Sequence, residues 1–352
     1  MDPLTQGVIG TVAAQQVAKP RVIVLASVLG GLSGMAPDLD ILIGSNSDPL
    51  IALEYHRHFT HSLLFIPIGG LICALFFSLI FRPWIRHAEL SFKQVLLFCT
   101  IGLATHGLLD GLTTYGTQLL WPFSNMRVAW NTISIIDPLF TLPLLSLVIL
   151  AMVKRRYPVL CKRLVVGALA WVIIYSSLGF LQRERAEAAG WKVATERGHQ
   201  PSRLEAKPSF ANIIVWKVVY QAEDRFYVDA IRVGFGDSQL YGGNSVAVLN
   251  VQRDFPWLES RSQQAKDIER FRWFSNDYLA VSPRYPDRII DMRYSLIPNQ
   301  IKGLWGIELD TKAASEAHIR YVSDHERNGS TFSLLWKMIR GEALTLSKEP
   351  PK

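Results

Sequence analysis

The sequence predicts a mostly α-helical polytopic membrane domain of about six helices over residues 1–182, followed by a soluble, β-rich α+β domain over 183–352. Three observations carry this. Residues 1–181 hold only 12 of the 37 Lys+Arg and 8 of the 30 Asp+Glu. The uncharged runs 62–81 and 164–181 are 20 and 18 residues long, enough for a helix to cross a hydrocarbon core about 30 Å thick. Mixed β-branched, aromatic and polar runs begin only beyond 182. A protein soluble throughout is excluded. Cys73, Cys99 and Cys161 all lie in or beside apolar segments, which excludes a disulfide scaffold and any Cys-rich zinc motif. The net charge of +7 is spread over both halves, with no dense basic run beyond Lys154-Arg155-Arg156, so nucleic acid is not an expected partner.

The elements follow in order. No cation precedes Lys19, so the opening is not a cleaved signal peptide. Asp2 before Pro3 predicts an N-cap and a first turn, opening a helix that reaches about Ala18 and stops at Lys19-Pro20. A second helix is expected over 21–35, ending before Pro37. At about 15 residues each, roughly 23 Å, both are marginal for a full crossing and read as a short hairpin. Longer spans are expected at about 62–82, 93–110, 136–153 and 163–182. The polar half should leave the last helix through the charged stretch 182–192. Strands are expected at 213–220, 225–235, 245–252, 288–294, 304–309 and 318–322, with helices at about 257–271 and 331–340.

Lys and Arg near helix ends are retained on the cytoplasmic side. With six crossings, Lys19, Arg21, Arg82, Arg86, Lys93, Lys154, Arg155, Arg156, Lys162 and Arg163 share that face, 10 of the 12 cations in this half. The opposite, outer face collects Asp2, Asp38, Asp40, Asp48, Glu54, Asp110 and Asp137 together with His56, His58, His61 and His106. Acids contribute little to topology, so their gathering beside four histidines needs another cause. A metal site supplies one.

Near the outer end of an apolar helix stands His106-Gly107-Leu108-Leu109-Asp110. Positions i and i+4 share a helix face about 6 Å apart, so the imidazole and carboxylate can bind one cation or two adjacent ones; the plainer alternative is a hydrogen-bonded pair that packs helices together. The stretch 56–62 places His56, His58 and His61 within six residues. His56 and His61 can converge across its turn, whereas His58 is expected to be merely exposed. Arg57 suits an anionic substrate through paired hydrogen bonds, or lipid headgroups. Asp38 and Asp40, after Pro37, can face one cavity as hard ligands or a base. Asp137 before Pro138 reads equally as a helix cap or a ligand. His and Asp around a polar cavity suit Zn²⁺ or a similar divalent ion. No His-Glu-x-x-His occurs, and His325-Glu326 lacks the second histidine, which weighs against a zincin-type protease.

Several motifs then resemble a known family. Met1-Asp2-Pro3-Leu4-Thr5, Ala36-Pro37-Asp38-Leu39-Asp40, His56-Arg57 with Thr60-His61-Ser62, His106 with Leu109-Asp110, Thr114-Tyr115-Gly116-Thr117 and Trp121-Pro122-Phe123-Ser124 look like those of the YdjM-like membrane-bound metal-dependent hydrolases. The resemblance covers about 1–145 strongly and 213–309 more loosely. It implies a fold and chemistry similar to zinc-dependent phospholipase C and P1-type nucleases, which cleave phosphoesters. Gln6, a poor metal ligand, stands where the family carries histidine.

The expected function is a hydrolase of the cytoplasmic (inner) membrane cleaving a small or lipid phosphoester at the outer face. His56, His61, His106, Asp110 and Asp137 are the expected metal ligands, Asp38 and Asp40 ligands or base, and Arg57 with Tyr115 stabilisers of the anion. The cofactor is a divalent metal, Zn first, and the partners are membrane lipid and a phosphoester substrate. The alternative is a non-catalytic, metal-stabilised scaffold whose outer domain binds an envelope partner. A transporter fits less well, because these acids sit at helix ends rather than at the midplane. The topology is checked by reporter fusions: alkaline phosphatase joined after Ser202 should be active and one joined after Arg156 inactive. The reverse pattern would overturn the shared outer face.

Overall fold

The computed structural model describes residues 1–234, 236–323 and 329–344. His325, and the end of the strand expected over 225–235, lie outside the described residues. The chain divides into two compact units. The first comprises Met1–Gly44, Ile51–Phe180 and Phe210–Asn212, and the second Ser45–Leu50, Leu181–Ser209 and Ile213–Lys352.

In the first unit, α1 (Pro3–Val17) starts as expected, with Asp2 Oδ1 accepting from Thr5 N at 3.0 Å and Pro3 in the first turn. A 3₁₀ turn at Pro20–Val22 leads into α2 (Ile23–Met35), and Pro37 opens a second 3₁₀ stretch over Ala36–Leu42 that carries Asp38 and Asp40. After α3 (Ile51–Tyr55) a short 3₁₀ turn, Phe59–His61, precedes α4 (Phe65–Ile80) and α5 (Arg82–His87). Ser91 and Gln94 form a capping box for α6 (Phe92–Leu112). Asp137 caps α7 (Pro138–Val153), and α8 (Pro158–Glu196) closes the series.

Among the described residues, three stretches are long and apolar enough to cross a bilayer: Pro20–Leu42, Phe92–Leu112 and Pro158–Glu196. The pair Ile51–His61 and Phe65–Ile80, bent by 87°, adds a fourth when counted as one span. The expected six crossings therefore reduce to three or four by length and composition, because α1 and α7, at 15 and 16 residues, fall short. The last helix also outruns its expected end at 182, continuing to Glu196 for 39 residues. Ala, Glu and Arg dominate that extension, all good helix formers, and Arg183 faces Glu187 one turn on at 3.8 Å.

Backbone contact builds the helical core. A Cβ added at Gly102 of α6 would lie 2.2 Å from the Gly30 carbonyl oxygen and 2.7 Å from its Cα. One added at Gly10 of α1 would lie 2.4 Å from the same oxygen. α1 and α6 thus close on α2 at Gly30, as small residues permit in apolar surroundings. Ala14, Ala26, Leu29, Ala74, Val95, Phe98, Cys99 and Leu103 pack around this contact.

The second unit holds β1 (Arg203–Pro208), β2 (Val215–Ala222), β3 (Arg225–Arg232), β4 (Gln239–Tyr241) and β5 (Ser245–Ala247). These form one antiparallel sheet in the order β1-β2-β3-β4, with β5 also on β3. The short α9 (Val251–Asp254) ends the expected 245–252 strand early, its Asn250 cap accepting from Arg253 N. After α10 (Gln263–Phe274), β6 (Leu279–Val281), β7 (Arg288–Asp291), β8 (Trp305–Glu308) and β9 (Arg320–Ser323) form a second antiparallel sheet in sequence order, and α11 (Gly329–Arg340) follows. Val219, Phe226 and Val228 of the first sheet meet Ala280 and Ile290 of the second in one core, with Tyr278 and Met292 beside them. β1, β4 and β6 have no counterpart in the expected strands; β4 and β6 are only three residues long.

Gly102→Val should destabilise the helical unit by about 1–3 kcal/mol, the usual range for forced overpacking. Gly167→Ala, where nothing lies within 4 Å of the added carbon, should leave stability level or raise it slightly. Thermal unfolding of the detergent-solubilised protein checks the contrast; equal melting temperatures would contradict the close approach at Gly30.

Candidate metal centre

The fold brings His61, His106, Asp38 and Asp110 together, one ligand atom of each lying within 4.8 Å of the others. α6 supplies His106 and Asp110, the turn after α2 supplies Asp38, and the turn before α4 supplies His61. Gly107 explains how that turn reaches α6. A Cβ there would stand 2.2 Å from the His61 carbonyl oxygen, so the residue beside His106 must be glycine for His61 to approach.

Hydrogen bonds outside the cluster orient both rings. His106 Nδ1 donates to the Gly34 carbonyl at 2.6 Å, which leaves Nε2 with its lone pair inward. His61 Nδ1 lies 3.2 Å from Asp40 Oδ2 and 3.0 Å from Thr60 Oγ1. Both are acceptors to it, since Thr60 gives its own proton to Asp40. The two Nε2 atoms then face each other at 2.8 Å. Asp38 Oδ1 lies 3.5 and 3.3 Å from them, and Asp110 Oδ2 3.3 and 3.9 Å. Two lone pairs and two carboxylate oxygens converging in a buried space call for positive charge between them.

Asp110 is fully enclosed. Its Oδ1 accepts from Gln6 Nε2 at 2.8 Å and from the Met1 amino group, while Arg57 Nε stands 3.0 Å from Oδ2. Oδ2 nonetheless has no hydrogen bond of proper geometry although it is fully buried. That orphaned oxygen and the N₂O₂ donor set fit a divalent metal ion.

The other expected residues fall into distinct places. His56 joins Asp38 and Asp40 in a second group able to hold an ion, with its Nδ1 2.8 Å from Asp40 Oδ1 and its ring about a quarter exposed. Asp40 also accepts from Arg57 N at 3.0 Å, so it orients its neighbours. Arg57, with φ of 64° and a buried guanidinium, donates to Thr113 Oγ1 at 2.9 Å and lies 4.7 Å from the Tyr115 ring centre. Tyr115 stands edge-on to His56, ring centres 5.6 Å apart. His58 lies instead against Tyr55 and Trp121. Asp137 is not gathered into either group: Oδ1 caps α7 through Leu139 N and Phe140 N, and Oδ2 accepts from Tyr175 at 2.8 Å. Its cap role wins because both oxygens are already used. Sequence reasoning missed the Gly34 carbonyl and Gln6 as supports; only Thr60, inside the quoted motif, carried a signal.

Residues 1–185 match the YdjM inner membrane protein family. The chain belongs to that family. It is 33% identical over 131 residues to the inner membrane protein YbcI of Escherichia coli (strain K12), covering 36% of this chain and 69% of that one. It is 28% identical over 123 residues to the protein YfhP of Bacillus subtilis (strain 168), about a third of each chain. No solved structure matches, and kinship with zinc-dependent phospholipases or P1-type nucleases is not among what these matches show. This YdjM-family protein is thus a membrane protein with a cluster able to bind a metal ion.

Three substitutions, His61→Ala, His106→Ala and Asp110→Asn, should each strip metal from the purified protein. Asp40→Asn, which removes the partner of His61 Nδ1 and one member of the second group, should weaken binding about 10–100-fold, and His58→Ala should bind normally. Gln6→His should tighten binding or add a second ion. Elemental analysis and chelator competition decide; full metal content in His106→Ala would reject the centre.

Proposed function

We propose that this YdjM-family protein is a metal-dependent hydrolase of phosphoesters, lipid ones included, working at the outer face of the cytoplasmic membrane with 183–352 extracytoplasmic. The observation that carries the reading is the convergence of two imidazole Nε2 atoms and two carboxylates beside a partly open His56–Asp40 pair. A divalent ion, Zn²⁺ by the mixed nitrogen and oxygen set, supplies Lewis acidity toward a phosphoryl oxygen when bound. His61, His106, Asp38 and Asp110 would hold it. Asp40 keeps the proton of His56 on Nδ1, which leaves Nε2 to take a proton from an attacking water. Arg57 offsets the charge of Asp110 rather than clamping substrate, because its Nε lies 3.0 Å from Asp110 Oδ2 and its Nη1 donates to Thr113. Tyr115, beside His56, would meet a substrate anion.

A second reading rests on Asp110 itself. Met1, Gln6 and Arg57 already surround it, an arrangement that can tie helices together without chemistry, as in a scaffold whose outer domain binds an envelope partner. The two separate in one experiment. Metal-loaded protein should hydrolyse a diester such as bis(p-nitrophenyl) phosphate or a phospholipid, lose activity to chelator and regain it with metal. His56→Ala should lose activity while retaining metal bound by His61 and His106. Stoichiometric metal without turnover of any phosphoester would leave the scaffold standing.

A further inference from the structure

The 3₁₀ stretch Ala36–Leu42 carries acids of the metal centre and faces outward with its other side chains. Asp40 is buried, and Asp38 turns its carboxylate to His61 and His106. Leu39, Ile41 and Leu42, between and after them, are 64, 69 and 80% exposed. The same stretch closes Pro20–Leu42, which is long and apolar enough to cross a bilayer. The acids of the centre therefore stand at the end of a lipid-embedded segment.

A second apolar edge comes from the loop that Thr117 and Val128 close by pairing. Its base is tied to the backbone of the centre: Gln118 N donates to the Arg57 carbonyl and Leu63 N to the Leu119 carbonyl, at 3.1 and 2.9 Å. Farther along this loop Leu120, Phe123 and Met126 are exposed, Phe123 by 85%. Within the centre the side chains of His61, His106, Asp40 and Asp110 are closed off, while those of Asp38 and His56 are 21 and 25% exposed. The centre thus opens at Asp38 and His56, and Leu39 is the next residue after one of them.

We propose that the centre takes its substrate from the bilayer: a phospholipid, whose phosphate reaches the opening at Asp38 and His56 while its acyl chains stay against Leu39, Ile41 and Leu42. The inference rests on the hydrolase reading and narrows its substrate class. Aliphatic side chains this exposed are unfavourable in water and favourable in lipid. A phospholipid carries its phosphate in the headgroup layer directly above the hydrocarbon core, so one molecule serves both the polar opening and the apolar strip. A soluble phosphoester gains nothing from the strip.

The test uses the full chain in phosphatidylglycerol nanodiscs. Ile41→Cys and Phe123→Cys are spin-labelled singly, and the native cysteines are buried, so labelling is selective. Both labels should collide readily with oxygen and be shielded from an aqueous nickel chelate, with or without metal in the centre. In the Zn²⁺-loaded protein, Ile41→Gln/Leu42→Gln should cut the ratio of phosphatidylglycerol to bis(p-nitrophenyl) phosphate turnover roughly tenfold, about the worth of one buried aliphatic side chain. Both side chains are exposed, so the fold should persist by thermal unfolding. Labels open to the chelate, or shielded only when two copies share a nanodisc, would overturn the inference alone. Shielded labels with an unmoved ratio would do the same, leaving the strip as an anchor. Absence of turnover of both substrates would instead fell the hydrolase reading, and this inference with it.

Discussion

The helical unit depends on the approach of α1 and α6 to α2 at Gly30, where backbone rather than side chain meets backbone. In an apolar bilayer the hydrophobic effect gives helices little reason to associate, so close van der Waals contact through small residues must do so. The same approach sets the chemistry. Only when α6 lies against α2 does the Gly34 carbonyl come within 2.6 Å of His106 Nδ1. Only when α1 lies against α6 does Gln6 reach Asp110. Gly107 extends the principle by letting the His61 backbone close onto α6.

Charge makes that geometry costly and therefore specific. Asp110 is fully buried, as are His61 and His106 within a few per cent, and an ionised carboxylate in such surroundings needs opposite charge and hydrogen bonds to remain. Arg57, Gln6 and the Met1 amino group supply them from one side. Asp110 Oδ2, which faces the histidines, still lacks a hydrogen bond of its own, and a bound cation would satisfy it. Arg57 accepts a left-handed backbone, φ 64°, at a position where its amide serves Asp40 and its guanidinium serves Asp110. Strain of this kind persists where surrounding contacts over-determine it.

The second unit solves a different problem. Its two antiparallel sheets bury a shared aromatic and aliphatic core, as a water-soluble domain does. Asp48, between α2 and α3 in sequence, belongs to this unit through its ion pair with Arg270 at 2.9 Å. An acid counted with the site acids at the outer helix ends thus serves packing elsewhere, which charge segregation alone does not reveal.

The sequence by itself determined the division into an apolar helical part and a β-rich part, the caps at Asp2 and Asp137, and the residue types of the centre. Each of these is local: hydropathy, a Pro after Asp, or three histidines within six residues. It also marked His106 and Asp110 as a pair, since i and i+4 fix a shared face. Only the tertiary structure decided which candidates meet. Asp137 went to a cap and to Tyr175, Asp40 became a support, and Gln6 became a hydrogen-bond donor to Asp110. Those outcomes turn on helix separations set by glycine contacts far apart in the chain, and on which oxygen is already occupied. Neither leaves a mark in the spacing of residues. The number of crossings escaped for a related reason: apolar character says that a helix lies in lipid or core, while α1 and α7, at 15 and 16 residues, are shorter than a full span takes.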